Sequence, residues 1–140
     1  MKKLIKSEVL EFARSNQACD DSIELLEQAE TMHDEWQVCC LYAYWLVGSG
    51  YIDANEFVAQ IPQGFSPKRC DLTGCTGLTS LPDGFSPKRC YLTGCTGLTS
   101  LPQGFNPEWC NLTGCTGLTS LPQGFNPEWC DPTGNFKKLS

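Results

Sequence analysis

The stretch LTGCTGLTSLP at residues 72–82 returns unchanged at residues 92–102 and again at residues 112–122, a period of twenty residues. Self-similarity at a fixed period of this length marks a chain in which one unit cannot bury its apolar face alone and stacks on the next. A solenoid is the expectation. Working backwards by twenty residues from 70–82 lands on GYIDANEFVAQIP at 50–62, where Ile52 aligns with Leu72, Asn55 with Cys75, Val58 with Leu78 and Ile61 with Leu81. Working forwards, Cys130 keeps the register, while Pro132 and Asn135 replace the strand leucine and the cysteine. This predicts four complete coils, starting at residues 50, 70, 90 and 110, and a partial fifth from 130.

One column carries more information than the others. Positions 55, 75, 95, 115 and 135 read Asn, Cys, Cys, Cys, Asn, with an aliphatic residue three positions to either side in the central copies. The pattern resembles the core of the leucine-rich repeat, where this Asn or Cys turns inward beside a short strand and satisfies backbone groups of neighbouring coils. The LTSLP that follows is similar to the short repeats of bacterial leucine-rich effectors and of cysteine-containing bacterial and phage repeat proteins. Over residues 50–135 the resemblance implies an α+β chain whose second part is a short right-handed leucine-rich-repeat-type β-solenoid of four to five coils. It says little about function. The sequence departs from the family pattern where Cys70, Cys90, Cys110 and Cys130 replace the first strand leucine. Phe65, Phe85, Phe105 and Phe125 are expected to fill the core from the opposite wall, and Pro67, Pro87, Pro107 and Pro127 to impose an extended return segment.

Residues 1–49 read as a helical cap of about three helices, the repeat region being 50–140. The first helix is expected from Ser7, as cap, to about Ser15, burying Val9, Phe12 and Ala13. The second is expected from Asp20, with Ile23, Leu26 and Ala29 on one side. Thr31, followed by Asp34, reads as the cap of a third helix over residues 32–47, ended by Gly48 and Gly50. Its broad apolar face, which includes Trp36, Cys39, Cys40, Ala43, Leu46 and Val47, is expected to cover the open end of the stack, as exposed coil ends require.

The chain is 140 residues long with a net charge of −6. Residues 1–49 hold four Lys and Arg against nine Asp and Glu, and residues 50–140 hold six against seven, so the acidity sits in the helical segment. Direct nucleic-acid binding is not expected of such a chain, because that affinity rests on clustered basic residues. The opening MKKLIKSEVLEF lacks an apolar h-region and a small-residue cleavage site, which predicts a reducing, cytoplasmic setting, with delivery into or expression in a host cell as a variant. No membrane span is expected, since the longest apolar run, residues 38–47, is half the length a bilayer requires.

The ten cysteines do not show the ligand pairs of a zinc site, so neither metal nor cofactor is expected; they read as small buried core residues. His33, the single histidine, shares a predicted helix with Cys39 and Cys40 and reads as an exposed first-turn residue. No phosphate loop, triad or carboxylate pair occurs at motif spacing, and the separate ligase domain of some leucine-rich effectors has no counterpart here. An enzyme is not expected.

The copies differ mainly in one strip. If Cys70 and Leu72 point inward, residues 69 and 71 point outward. The first column reads Ser49, Arg69, Arg89, Trp109, Trp129, the second Tyr51, Asp71, Tyr91, Asn111, Asp131, and position 68 adds Lys68, Lys88, Glu108 and Glu128. Arg89 is expected over Trp109 and Trp109 beside Trp129, either as a self-stabilising ladder or as a binding surface. Exposed Trp, Tyr and Arg are the side chains most enriched in interface hot spots. The expected function is a protein-binding scaffold through Arg69, Arg89, Tyr91, Trp109, Trp129, Asp71 and Asn111, by analogy a small phage or bacterial inhibitor of a host or defence protein. Two alternatives differ in class: an acidic nucleic-acid mimic acting through Asp20, Asp21, Glu24 and Glu27, and a self-assembling structural protein. The C-terminal strand edge, shielded by Pro132, Lys137 and Lys138, predicts a monomer or closed dimer.

Overall fold

The computed structural model describes residues 2–131 and the backbone of residues 137–138; Pro132 and Asn135 lie outside the described residues. Five helices come first: α1 (Lys6–Ser15), α2 (Asp20–Gln28), α3 (Met32–Leu41), α4 (Ala43–Gly48) and α5 (Ala54–Ala59). Strands β1 (Arg69–Asp71), β2 (Arg89–Tyr91), β3 (Trp109–Asn111) and β5 (Trp129–Asp131) then form one parallel sheet in the order β1-β2-β3-β5. The register is that of the sequence period, Cys70 beside Cys90, Cys90 beside Cys110, and Cys110 beside Cys130. A second parallel pair joins β4 (Ser120–Leu121) to β6 (Lys137–Lys138), so the two lysines read as edge protection lie in a paired strand.

Each short strand is held by two kinds of bond. Arg89, Trp109 and Trp129 donate their amides to the carbonyls of Lys68, Lys88 and Glu108, the residues that lead into the preceding strand, each at 3.0 Å, while Leu72 donates forward to Tyr91 at 2.8 Å. Past the strand the chain turns through Gly74, Gly94 and Gly114, all at φ near +77°, a conformation a side chain at Cβ disfavours. Gly97 and Gly117 are required for a different reason. A Cβ on Gly97 would lie 2.6 Å from the Thr76 carbonyl oxygen, and one on Gly117 2.7 Å from that of Thr96. These two glycines set how closely successive turns approach.

The apolar columns are buried together. Leu72, Leu92 and Leu112 are inaccessible to solvent, as are Leu78 and Leu98, and Phe85, Phe105 and Phe125 close the core from the other side. The rings of Phe105 and Phe125 stack at 6.3 Å. Pro67, Pro87 and Pro107 are also fully buried. The cysteine column bonds to the backbone of the preceding copy: the Cys95 thiol donates to the Leu72 carbonyl at 3.1 Å and the Cys115 thiol to that of Leu92 at 3.0 Å. An unforeseen ladder runs outside, where Ser86 N donates to Ser66 Oγ, Asn106 N to Ser86 Oγ and Asn126 N to Asn106 Oδ1, all within 2.8–2.9 Å.

The helical segment departs from expectation in three places. Helix α1 begins at Lys6 with Ile5 as its cap residue, and Ser7 makes no capping bond. The chain entry is instead fixed by the Leu4 amide donating to Gln60 Oε1 at 3.0 Å. The helix expected over 32–47 is divided at Tyr42, whose backbone leaves the helical range at φ −110° and ψ 21°. Thr31 caps it as read, accepting from the Asp34 amide at 3.1 Å. The largest correction concerns residues 50–62. They place no strand beside β1; Asp53 accepts the amides of Asn55 and Glu56 and starts α5. The apolar register nonetheless holds, with Ile52, Val58 and Ile61 buried, and Asn55 bridges to the next copy through the Gly77 carbonyl and the Thr79 amide.

Helix α3 covers the free edge of β1. Its Gln37 Oε1 accepts the Lys68 amide at 3.0 Å, replacing the strand that is missing there, and Trp36 meets Phe57 edge-on at 5.8 Å. Helices α1 and α2 pack on the other side of α3 through Val9, Leu10 and Leu26, and the core is continuous from these residues to Phe125.

Candidate functional site

The strip formed by residues 68–71 and their equivalents is organised as the alternation along each strand requires. In β1, β2 and β3 the first residue is exposed, the cysteine buried and the third residue half-buried. Arg69, Arg89, Trp109 and Trp129 are in register along one outer column. The Arg89 guanidinium lies 5.5 Å from the Trp109 ring centre, and the Arg69 guanidinium lies diagonally over Tyr91 at 4.8 Å. Trp109 and Trp129 stack at 5.2 Å with their planes 25° apart. Both tryptophans nevertheless remain about 40% exposed, at 40% and 39%. Stacking therefore uses one face of each ring and leaves a substantial apolar area in water.

Asp71 and Asn111 have local duties as well. Asp71 Oδ1 accepts the Thr73 amide at 3.0 Å and Asn111 Oδ1 the Thr113 amide at 2.9 Å, so both brace the turn that leaves the strand. Tyr91, at the equivalent position in β2, lends its ring to Arg69. Two residues read into these columns do not join the strip. Ser49 precedes no strand, and Tyr51 is buried beneath Phe12, 4.8 Å between ring centres, with the Lys2 ammonium 4.0 Å from its ring. Helix α3 covers the edge of β1 at that end, so the strip begins at Lys68.

Among the described residues the charged groups of the strip form no ion pair; the ion pair present there is Arg14 with Glu27, far from the sheet. Arg69 and Arg89 stand exposed on β1 and β2, with Lys68 and Lys88 exposed directly ahead of those strands, and Glu108 and Glu128 are exposed directly ahead of β3 and β5.

The thiols raised in the folded chain are chemically quiet, whereas a hydrogen bond with Cys110 lowers that of the half-buried Cys130. Burial pushes Cys39 and Cys95 up to about 12 and Cys75 up to about 11. A hydrogen bond with Cys40, followed by burial, raises Cys70, burial raises Cys90, and a hydrogen bond with Cys130 followed by burial raises Cys110. Thiols held protonated are poor nucleophiles and poor metal ligands. Among the described residues no group of three or more His, Cys, Asp or Glu is placed to hold a metal ion. His33 is exposed; it lies within 3.2 Å of Gln37 and meets Phe65 edge-on at 5.3 Å, away from the cysteines. No described helix is long and apolar enough to cross a membrane.

No family model matches this sequence, and neither a curated protein nor a solved structure is significantly similar to it.

Proposed function

We propose that the chain is a leucine-rich-repeat-type solenoid, with the helical residues 50–62 closing its first end, that binds protein through the strip at residues 68–71, 88–91, 108–111 and 128–131. The observation that carries this reading is the pair Trp109 and Trp129, stacked in register yet about 40% exposed, with Arg69 and Arg89, in no ion pair among the described residues, on the same column. Large aromatic rings held rigid by their neighbours lose little side-chain freedom on contact, and flanking guanidinium groups supply fixed donors for acidic groups. Trp109 and Trp129 act as anchors in this reading, and Arg69, Arg89 and Tyr91 orient the partner. Asp71 and Asn111 contribute their remaining lone pairs. Catalysis has no part in it.

A partner recovered by affinity capture from the source cell and then titrated provides the test. Replacing Trp109 and Trp129 by Ala is expected to weaken that partner by more than about tenfold, roughly 1.4 kcal/mol. Unchanged affinity together with a lowered melting temperature would assign the tryptophans to stabilising their own stack. A second reading, an acidic mimic, is favoured by the exposed Asp20, Asp21, Glu24 and Glu27 concentrated on α2. Charge reversal at those four positions abolishing activity, with the Trp variants silent, would move the function there.

A further inference from the structure

The strip is electrostatically self-complementary. Its β1–β2 half carries Lys68, Arg69, Lys88 and Arg89 against Asp71, a sum of +3; its β3–β5 half carries Glu108, Glu128 and Asp131, a sum of −3. None of these groups forms an ion pair among the described residues. The four strands are in register, so the charges lie on rungs about 4.8 Å apart and change sign at the midpoint between β2 and β3. We infer that the strip's own partner is a second copy of this chain, docked face to face in a closed two-fold dimer. This inference rests on the reading of the strip as a binding surface and names what it binds.

Two such dimers are available to two flat strips, and the charges choose between them. A two-fold axis lying along the stack sets β1 against β1 of the second copy and places like charge on like charge. An axis parallel to the strands, midway between β2 and β3, sets β1 against β5 and β2 against β3 of the second copy. Lys68 then faces Glu128, Lys88 faces Glu108, and Arg69 and Arg89 face Trp129 and Trp109 of the other copy. Every such contact occurs twice, as an isologous interface demands, and the strip of each copy is covered by that of the other. Asp71 against Asp131 is the one repulsive pair. Asp71 already accepts the Thr73 amide, which draws its carboxylate toward the turn.

The dimer is weak by construction. Three inter-strand spacings of about 4.8 Å, by three residues of about 3.3 Å along each strand, give a patch some 14 Å by 10 Å before side chains are added, well below the roughly 800 Å² per partner of a standard interface. Association is therefore expected at high micromolar concentration and low ionic strength, and a tighter partner would displace it. Salt discriminates strongly, because exposed charges are screened over about 10 Å at 0.1 M and about 3 Å at 1 M.

Sedimentation of the full chain at about 0.5 mM in low salt should give a mass moving from one copy toward two, falling back to one when salt is raised to about 1 M. One variant, Lys68→Glu with Arg69→Glu, Lys88→Glu and Arg89→Glu, makes the strip uniformly acidic. A second, Glu108→Lys with Glu128→Lys and Asp131→Lys, makes it basic everywhere except at Asp71. Each alone should be monomeric with an unchanged circular-dichroism spectrum, and an equimolar mixture should pair. The mixed pairing distinguishes charge complementarity from loss of fold, since a misfolded variant would not rescue its counterpart. A monomer at every concentration, or a dimer indifferent to salt and to both variants, overturns the inference. If the Trp variants lose partner capture while the wild type stays monomeric, self-docking fails and the protein-binding reading stands.

Discussion

Helices α1–α5 pack through side chains that each meet particular neighbours, as Phe12 meets Trp45 and Tyr51, whereas the repeats pack each column on copies of itself. The consequence is a difference in tolerance. In the helical segment a shape error is local, because the next turn of helix presents a different residue. In the repeats one column position recurs every twenty residues, and its geometry is set by the turn before and the turn after. Residues 50–62 lie between the two regimes: their apolar register is that of a repeat, but their backbone is a helix.

Alkaline pH should separate the two regions most strongly. Of the buried thiols held above their ordinary value, Cys70, Cys75, Cys90, Cys95, Cys110 and Cys115 lie in the repeats and Cys39 in the helices. An acid whose value is raised by folding keeps its proton in the native state after the unfolded chain has lost it. Stability is therefore fully present below the ordinary value near 9 and falls as pH climbs from there toward about 12. Each such thiol removes on the order of 1 kcal/mol per pH unit in that window, and several act together. Urea unfolding midpoints at pH 8 and pH 10 measure the loss. A midpoint independent of pH would mean that these thiols are not sealed from water.

Glycine substitution draws the boundary more finely. Gly97→Ala puts a methyl 2.6 Å from a backbone oxygen and should cost about 3 kcal/mol, whereas the same change at Gly77 meets only Asp53 Oδ1 at 4.0 Å and should stay within about 0.5 kcal/mol. The sequence around the two positions is the same, CTGLTS, so equal losses would contradict the placement of α5 beside the copy at residues 72–82. A smaller loss than that at Gly97 belongs to the helices: Thr31→Ala removes the cap on α3 and should cost about 1 kcal/mol, with Thr31→Asp near neutral. A larger loss would show that α3, which seals the β1 edge through Gln37, forms only together with the sheet.

Much of the repeat region was readable because its constraint is periodic. Any position occupied by Leu, Cys or Phe in every copy had to be inward, and Leu72, Cys75, Leu78, Leu81 and Phe85 are all buried. The outward column was readable for the complementary reason, that Arg69, Arg89, Trp109 and Trp129 differ where the rest is copied. The helix at residues 54–59 was hidden by the same periodicity, since aligning Ile52 and Val58 with leucines drew attention from Asp53, whose position three residues ahead of Glu56 is a helix-start signal. The outer ladder through Ser66, Ser86, Asn106 and Asn126 was also legible in principle, as a column of small hydrogen-bonding residues before each buried proline.

The sequence alone determined the period, the inward and outward columns and the segregation of charge along the strip, because each follows from which residue recurs at which spacing. Tertiary structure decided that the first copy becomes a helix, that α3 takes the place of a strand at the β1 edge, and that Tyr51 is buried while Tyr91 stays on the strip. Those outcomes depend on which groups compete for the same buried space and the same backbone amide. That competition is between residues such as Gln37 and Lys68, thirty-one positions apart, and no local pattern contains it.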